Sequence, residues 1–304
     1  MPHSHNMSVA PDTAADLAAT GAMITERIGT FLPPPTGPAH RLLQAMHYST
    51  CGGKRVRAFI TINAAGTFGL AEEAVLPAAV AIEFIHAASL IHDDMPCIDD
   101  SALRRGVASC HERFDEHTAL LAGDALIIRA FELMAQLRCK VDDREALLRA
   151  IAELGEAIGA LGLIGGEAVD IEAEQQPPNP DMLRFIHTNK TAKLIIASAR
   201  TGAILAAAPE DGLATITSYA QHLGLLFQIT DDILDATGSD EQLGKPAGAD
   251  AASHKMTYPA LLGLKGARDR ADQEAELAIE AARCLPARNG LWTDLVELVL
   301  DREQ

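Results

Sequence analysis

Two clusters of aspartates, far apart in the chain, carry the most informative chemistry of this sequence. The first contains Asp93, Asp94, Asp99 and Asp100, and the second contains Asp231, Asp232 and Asp235. Carboxylates packed this closely repel one another unless a cation neutralises them, and Mg²⁺ binds carboxylate oxygens while keeping several waters. The clusters therefore predict a magnesium site and an anion that the metal bridges, for which a diphosphate is the obvious choice.

The spacing within each cluster favours a shared site. Asp231 and Asp235 are one helical turn apart and lie on the same helix face. Pro96 disfavours helical geometry at the preceding residue and predicts a helix end just after Asp94, so the chain can turn back and bring Asp99 to the first two aspartates. A single acidic cluster is more often a surface turn, but two clusters flanked by apolar helices favour metal binding.

Basic residues are scarce, so the few basic clusters are informative. The chain has 25 Lys and Arg against 42 Asp and Glu, a net charge of -17, which argues against nucleic acid as a partner. Residues 52–57 read Gly-Gly-Lys-Arg-Val-Arg, and Arg104 and Arg105 follow the first aspartate cluster. Because guanidinium groups bind phosphates bidentately, cations beside a metal cluster predict a second bound anion.

These segments together resemble the signature segments of the trans-isoprenyl diphosphate synthases, the polyprenyl synthetase family. The resemblance runs from about residue 40 to residue 265. The matching segments, in chain order, are Gly52-Gly53-Lys54-Arg55, residues 85–100 with Leu103-Arg104-Arg105-Gly106, Gly165-Gly166-Glu167-Ala168-Val169-Asp170, Lys190-Thr191, residues 227–235, Gly244-Lys245-Pro246 and Lys255-Met256-Thr257-Tyr258-Pro259.

The resemblance implies an Mg²⁺-dependent prenyltransferase that condenses isopentenyl diphosphate with allylic diphosphates. The implied metal ligands are Asp93, Asp94 and Asp99 on one wall and Asp231, Asp232 and Asp235 on the other. The implied contacts of the allylic diphosphate are Arg104, Lys190, Gln228 and Lys245. The implied contacts of isopentenyl diphosphate are Lys54, Arg57, His86 and Arg105. For His86, the alternative is a structural histidine whose hydrogen-bonding groups are satisfied on a helix face.

The implied chemistry needs charge stabilisation more than acid–base catalysis. Cleavage of the allylic carbon–oxygen bond leaves a pyrophosphate anion that magnesium, Arg and Lys stabilise, and an allylic cation that the double bond of isopentenyl diphosphate attacks. The departing pyrophosphate can remove the final proton. Lys190, Thr191 and Gln228 are the predicted catalytic groups, the last two through oxygens that face the cation.

Small residues below the first cluster predict a long product. Ser89 and Ala88 precede Asp93 by four and five residues, about 6 to 7.5 Å along a helix, where a growing hydrocarbon would lie. Aromatic residues here accompany farnesyl products in the family, so their absence implies geranylgeranyl diphosphate (C20). Farnesyl diphosphate (C15) is the alternative, followed by a longer polyprenyl product. A noncatalytic partner subunit and a terpene cyclase fit less well, because both clusters and the second cationic set are intact.

Three positions depart from the family pattern. Glu167 stands where glutamine is usual, Val107 where lysine commonly occurs, and Ala58 where proline often occurs. None removes a predicted metal ligand. The change at Glu167 adds negative charge near the site and puts the local hydrogen bonding in question.

The rest of the sequence predicts an all-α, single-domain helical bundle around a central cavity, of the isoprenoid synthase type. Apolar residues at helical spacing predict helices over 71–92, 118–138, 144–163, 181–207 and 210–235, with Asn179 as an N-cap. Residues 1–10 are interpreted as a disordered leader or an added, non-native sequence, and 11–304 as the domain. We expect no transmembrane segment, a cytoplasmic location because the five cysteines form no framework, and, from the resemblance, a homodimer.

Overall fold

Most of the described chain is helical. The computed structural model describes residues 11–137, 143–174, 176–238, 255–286 and 290–301. Its helices are α1 (Pro11–Ile28), α2 (His40–Ser49), α3 (Val56–Thr67), α4 (Glu72–Asp93), α5 (Cys110–Arg113), α6 (Glu116–Gln136), α7 (Arg144–Ile158), α8 (Leu163–Ala173), α9 (Pro180–Ile186), α10 (Lys193–Leu205), α11 (Glu210–Thr237), α12 (Tyr258–Arg283) and α13 (Leu291–Leu300). Strands β1 (Leu103–Arg104) and β2 (Val107–Ala108) form a short antiparallel hairpin. The predicted all-α class is confirmed.

The predicted helix boundaries hold with two differences. The helix predicted over 144–163 ends at Ile158, because the backbone becomes extended at Gly159, and α8 begins after Gly162. The helix predicted over 181–207 is interrupted by a π-helical turn, His187–Ala192, between α9 and α10. Both differences involve backbone geometry that apolar periodicity does not reveal.

The predicted N-cap of α9 is present. The side chain of Asn179 accepts hydrogen bonds from the backbone N–H groups of Asp181 at 3.0 Å and Met182 at 3.2 Å, and Pro180 occupies the first helical turn. These bonds satisfy donors that a helix leaves open at its start. The cap thus fixes the start of α9, which leads into the π-helical turn.

Helix α4 runs through the middle of the bundle. It packs against α3, α6 and α10, and its apolar stretch is long enough by composition to cross a membrane, with a mean hydropathy of 1.9. The sequence predicts no transmembrane segment, and 72% of this stretch is buried inside the protein, as in a core helix. Buried apolar residues from Ile24 in α1 to Val299 in α13 form one core. The single-domain boundaries stay a prediction.

Close helix crossings at glycines bring these elements together. A Cβ on Gly202 of α10 would lie 2.2 Å from the carbonyl oxygen of Thr61 in α3, so the two backbones touch there. A Cβ on Gly123 of α6 would likewise lie 2.2 Å from the ring of His92 in α4. The crossing at Gly202 leaves no room for a side chain, because the atom it would meet belongs to the backbone.

We predict opposite stability effects for two glycine substitutions. Gly202→Ala should lower the free energy of unfolding by about 1–3 kcal/mol, because α3 and α10 must separate to admit the methyl group. Gly155→Ala in α7 is the matched control, since its Cβ would meet nothing within 4 Å; alanine there should raise stability by about 0.5–1 kcal/mol. Thermal melts at fixed protein concentration measure both. Equal effects of the two substitutions would contradict the contact at Gly202.

Candidate active site

Most of the predicted site residues line one cavity. Its volume is about 490 Å³, and its walls come from α3, α4, the β1–β2 hairpin, α8, the π-helical turn, α11 and residues 255–257, which precede α12. The predicted residues that line it are Arg57, His86, Ser89, Asp93, Asp99, Arg104, Arg105, Lys190, Thr191, Gln228, Asp231, Asp232 and Asp235. The structure therefore brings together aspartates that lie more than a hundred residues apart in sequence.

The end of α4 builds the first wall. The helix ends at Asp93 with Asp94 as its C-cap, as predicted from Pro96. The chain then turns back: the Asp99 N–H donates to the Asp93 carbonyl at 3.0 Å, and the Ser101 N–H donates to the Asp94 carbonyl at 3.2 Å. These backbone bonds hold Asp99 beside Asp93, as the spacing indicated.

Arg104, on the β1–β2 hairpin, neutralises the first pair of aspartates. Its Nε donates to both oxygens of Asp94 at 2.9 and 3.1 Å, and its Nη2 donates to Asp93 Oδ2 at 3.1 Å. The hairpin turns through Arg105 and Gly106, both in the left-handed region with φ of 55° and 76°. Burial raises the pKa of Asp94 above its usual value despite Arg104, because little of this carboxyl reaches solvent.

Lys190 is surrounded by carboxylates. Its Nζ lies 3.3 Å from Asp93 Oδ1, 2.9 Å from Glu167 Oε2 and 2.8 Å from Asp170 Oδ2. Burial would lower the pKa of Lys190, but these three acids raise it well above its usual value. Conversely, burial would raise the pKa of Asp93, while Lys190, Arg104 and Lys255 hold it below its usual value. The buried lysine and the buried acids thus stabilise one another's charged forms.

Glu167 and Asp170 extend the acidic wall beyond the two predicted clusters. They lie three residues apart in α8 and face the cavity, and neither was among the predicted site residues. Burial is the main cause that raises the pKa of Glu167 to about 7, with Lys190 opposing it. Lys255 was missed too: its Nζ lies 2.8 Å from both oxygens of Asp99. The only sequence signals were the family-like segments that contain these residues.

Helix α11 builds the opposite wall. Asp232 accepts hydrogen bonds from Gln228 Nε2 at 2.8 Å and from the Tyr258 N–H at 2.9 Å. Thr191 Oγ1 donates to Gln228 Oε1, so the two predicted catalytic oxygens are neighbours. His187 Nε2 lies 3.6 Å from Asp232 Oδ2, another contact that the sequence did not indicate. Burial lowers the pKa of His187 to about 3, so this ring is neutral.

The second predicted anion site lies at the start of α3. Arg57 Nη1 is 3.3 Å from His86 Nε2, and a Cβ on Gly53 would lie 2.5 Å from Arg105 Nη1, so the glycine makes room for this guanidinium. Burial, followed by Arg57, Arg105 and other arginines, lowers the pKa of His86 well below 6.5. A neutral histidine among cations suits a site that binds an anion.

Some predicted residues do not reach this cavity. Lys54 is exposed outside the cavity lining, and Asp94 is buried behind it. Ala88 is fully buried and not part of the lining, whereas Ser89 is. Lys245 lies outside the described residues. Arg55, expected with its neighbours to meet an anion, is instead 4% exposed and turned into the core.

The donor set suits a magnesium-bound diphosphate. Carboxylates face one cavity from both walls, and on the first wall Asp93 Oδ1 shares the Lys190 ammonium, at 3.3 Å, with Glu167 and Asp170. Within the described ranges, no three His, Cys, Asp or Glu side chains form a ready metal cage. An open arrangement fits Mg²⁺, which keeps waters and binds substrate phosphate oxygens in place of a full protein shell.

We predict that Glu167 makes stability depend on pH. A carboxyl whose pKa is about 7 in the folded protein, against an ordinary value of 4.5, favours the folded protein when protonated. That stability is fully present below pH 4.5 and is lost as pH rises through about 7. Relative to Glu167→Gln, the wild type should lose on the order of 2 kcal/mol across this range. The measurement is melting temperature against pH in a chelator.

Glu280→Gln, at an exposed position of α12, is the control for this experiment. Its melting temperature should follow the wild type at each pH. Parallel curves for the wild type and Glu167→Gln would contradict the raised pKa of Glu167.

Comparisons with known proteins agree with this geometry. Residues 39–284 match the sequence profile of the polyprenyl synthetase family. The chain is 41% identical over 263 residues to a farnesyl diphosphate synthase of Bacillus subtilis, a match that covers 86% of this chain and 89% of that one. It is 44% identical over 253 residues to a putative chloroplastic geranylgeranyl pyrophosphate synthase, number 8, of Arabidopsis thaliana, covering 80% and 70% of the two chains.

A solved structure shares the fold. The geranyltransferase of Helicobacter pylori, complexed with magnesium and isoprenyl diphosphate, superposes with a TM-score of 0.83 at 29% identity, covering 97% of this chain and 98% of that one. The family match spans most of the sequence, and the relatives are similar over most of their own length. The chain therefore belongs to the polyprenyl synthetase family of trans-prenyltransferases.

Proposed function

We propose that this trans-prenyltransferase condenses isopentenyl diphosphate with allylic diphosphates and releases geranylgeranyl diphosphate. The observation that carries the proposal is the single cavity in which two carboxylate walls meet a separate set of cations. One diphosphate fits between the carboxylates, and another fits beside Arg57, His86 and Arg105. Two anion sites around one cavity suit a reaction that joins two diphosphate esters.

We assign the metal role to Asp93 and Asp99 on the first wall and to Asp231, Asp232 and Asp235 on the second, all of which line the cavity. Asp94, buried behind the lining, is assigned to the metal from the resemblance alone. The similar Helicobacter pylori protein was solved with magnesium and isoprenyl diphosphate, which supports Mg²⁺ as the cofactor here. When bound, magnesium neutralises the charge that develops on the departing pyrophosphate.

The chain's own cations hold the allylic diphosphate. Arg104, Lys190 and Lys255 already contact the aspartates at the cavity, so each can turn from a carboxylate oxygen to a phosphate oxygen over a short distance. Cations placed in advance stabilise the leaving group without rearrangement at the moment of cleavage. We also assign Lys245 to this diphosphate, from the resemblance alone.

Oxygen atoms opposite the cations face the carbon that becomes positive. Thr191 and Gln228 are hydrogen-bonded to each other, and both line the cavity. Their oxygens favour positive charge on the allylic carbon, while Leu90 and Phe227 in the same lining exclude water. Isopentenyl diphosphate, held by Arg57, His86 and Arg105 and, from the resemblance alone, by Lys54, then presents its double bond to this cation.

Small side chains at Ser89 and Ala88 support the C20 product. Ser89 lines the cavity one turn below Asp93, and Ala88 lies behind it in the core. Neither fills the space in which a hydrocarbon would lengthen. The curated relatives include both a farnesyl and a geranylgeranyl synthase, so farnesyl diphosphate is the second candidate.

A second copy of the chain is the proposed partner. Leu120, Leu121 and Ile128 form an exposed apolar stripe on α6, and Leu148 on the neighbouring α7 is 68% exposed. Apolar patches of this kind mark interaction surfaces. We also infer a reducing compartment, the cytoplasm, because Cys51, Cys97, Cys110 and Cys284 are all free.

The first test is the product made from isopentenyl diphosphate with dimethylallyl, geranyl or farnesyl diphosphate, read by chromatography after dephosphorylation. We expect a C20 product that disappears on chelation. Asp93→Ala and Asp231→Ala should each lower kcat by at least about 10²-fold, since the leaving group loses its stabilisation. Asp269→Ala, at an exposed position of α12, should match the wild type. Near-normal turnover in either site variant would overturn the metal assignment.

A larger side chain below the first cluster should shorten the product. Ser89→Phe places a ring in the cavity and should shift the product from C20 to C15. Ala88→Phe should also shorten the product if the lengthening chain passes the buried position. Ser89→Ala, which adds no volume, is the control and should leave the product unchanged. A C20 product from Ser89→Phe would show that the chain grows elsewhere.

A charge on the α6 stripe should separate the two copies. Ile128→Glu is expected to convert a dimer to a monomer by light scattering, because an unpaired carboxylate cannot be buried in an apolar contact. Leu277→Glu on α12 is the control, since Leu277 is also exposed but lies outside the stripe. A monomeric wild type, or a dimer that survives Ile128→Glu, would reject this surface.

A further inference from the structure

Arg55, in the middle of the basic segment 52–57, turns inward. Its Nη1 donates to Glu83 Oε2 at 3.2 Å, and both side chains are 2% exposed. Its Nη2 donates to the Thr50 carbonyl, and its Nε donates to Thr25 Oγ1 at 3.4 Å. The guanidinium thus ties α4, α1 and the loop before α3 together beneath the proposed isopentenyl diphosphate site.

Glu83 has a second contact that reaches α3. Its Oε1 accepts the backbone N–H of Ala58 at 3.1 Å, in the first turn of that helix. The N–H groups in the first turn of a helix have no acceptor within the helix, and the side chain of the residue before α3 does not accept a hydrogen bond from them. A carboxylate on α4 therefore caps α3 while also binding Arg55.

The loop that these contacts hold has an unusual backbone. Gly52 and Gly53 have φ of 74° and 87°, and Arg55 itself has φ of 55°. A left-handed conformation is disfavoured for a residue with a side chain and persists where surrounding contacts impose it. The resulting loop puts Gly53 against Arg105 and sets Arg57 beside His86.

We propose that Arg55 and Glu83 are positioning residues that fix the isopentenyl diphosphate site relative to the aspartates. This inference rests on the proposed function. Glu83, His86 and Asp93 are separated by three and seven residues on α4, so they share one helix face. A loop anchored at Glu83 is therefore held at a set distance from the metal cluster, and neither Arg55 nor Glu83 needs to touch substrate.

Stability alone does not explain the pair. Replacing a buried ion pair by apolar residues of similar size is often neutral or stabilising, whereas removing one partner is costly. Apolar side chains cannot reproduce the directed bonds to the Thr50 carbonyl and the Ala58 N–H. A double replacement therefore separates the contribution to folding from the contribution to positioning.

The experiment compares Glu83→Gln and the double variant Arg55→Met/Glu83→Leu with the wild type. Isopentenyl diphosphate binding is measured by calorimetry in a chelator, because the cationic site needs no metal. Michaelis constants for both substrates are measured with Mg²⁺. We expect both variants to raise Kd and KM for isopentenyl diphosphate about tenfold and to change KM for the allylic substrate less than about twofold. The double variant should melt no lower than Glu83→Gln.

Arg27→Met is the matched control, because Arg27 also pairs with a glutamate of α4, Glu73, but at an exposed site. It should leave Kd and both Michaelis constants unchanged. A folded double variant with wild-type Kd, or equal rises in both Michaelis constants, would overturn the positioning role. A wild type that binds isopentenyl diphosphate without condensing it would contradict only the proposed function, since the Kd comparison still decides the inference. Absence of binding to the wild type would reject both.

Discussion

Mutual neutralisation of buried charge is the constraint on which the structure depends. Asp93, Glu167 and Asp170 surround Lys190, Arg104 bridges Asp93 and Asp94, and Lys255 binds Asp99. Any of these acids alone in a partly buried cavity would be expensive to ionise. The fold brings the end of α4, the β1–β2 hairpin, α8, the π-helical turn and the segment before α12 together so that each of these acids meets a cation, and this wall can remain both charged and stable.

The same arrangement explains why few cations suffice in a strongly acidic chain. Arg104, Lys190 and Lys255 are each held by carboxylates that would also attract a metal ion. Competition between metal and protein cations for the same oxygens would free the lysines and arginines for phosphate. The same ion pairs therefore hold the cavity together and keep the cations in place to bind an anionic substrate.

Sequence reasoning predicted the elements better than the contacts between them. Apolar periodicity identified α4 and α11, Pro96 indicated the end of α4, and Asn179 indicated the start of α9, because these signals act locally. The aspartate clusters were located through spacing and a family resemblance. The inward turn of Arg55, the partners of Lys190 and the place of Lys255 could not be read from spacing, because they depend on residues distant in the chain. The π-helical turn left no signal in the apolar pattern.

The π-helical turn has a further consequence through the glycines that flank it. A Cβ on Gly166 of α8 would lie 2.3 Å from the Lys190 backbone nitrogen, and a Cβ on Gly224 of α11 would lie 2.7 Å from the Ala192 Cα. The widened turn fits because two neighbouring helices lack side chains at these points. The side chains that line the pocket can therefore be replaced to change its specificity. Gly166 and Gly224 cannot, because any side chain there would displace the π-helical turn that carries Lys190 and Thr191.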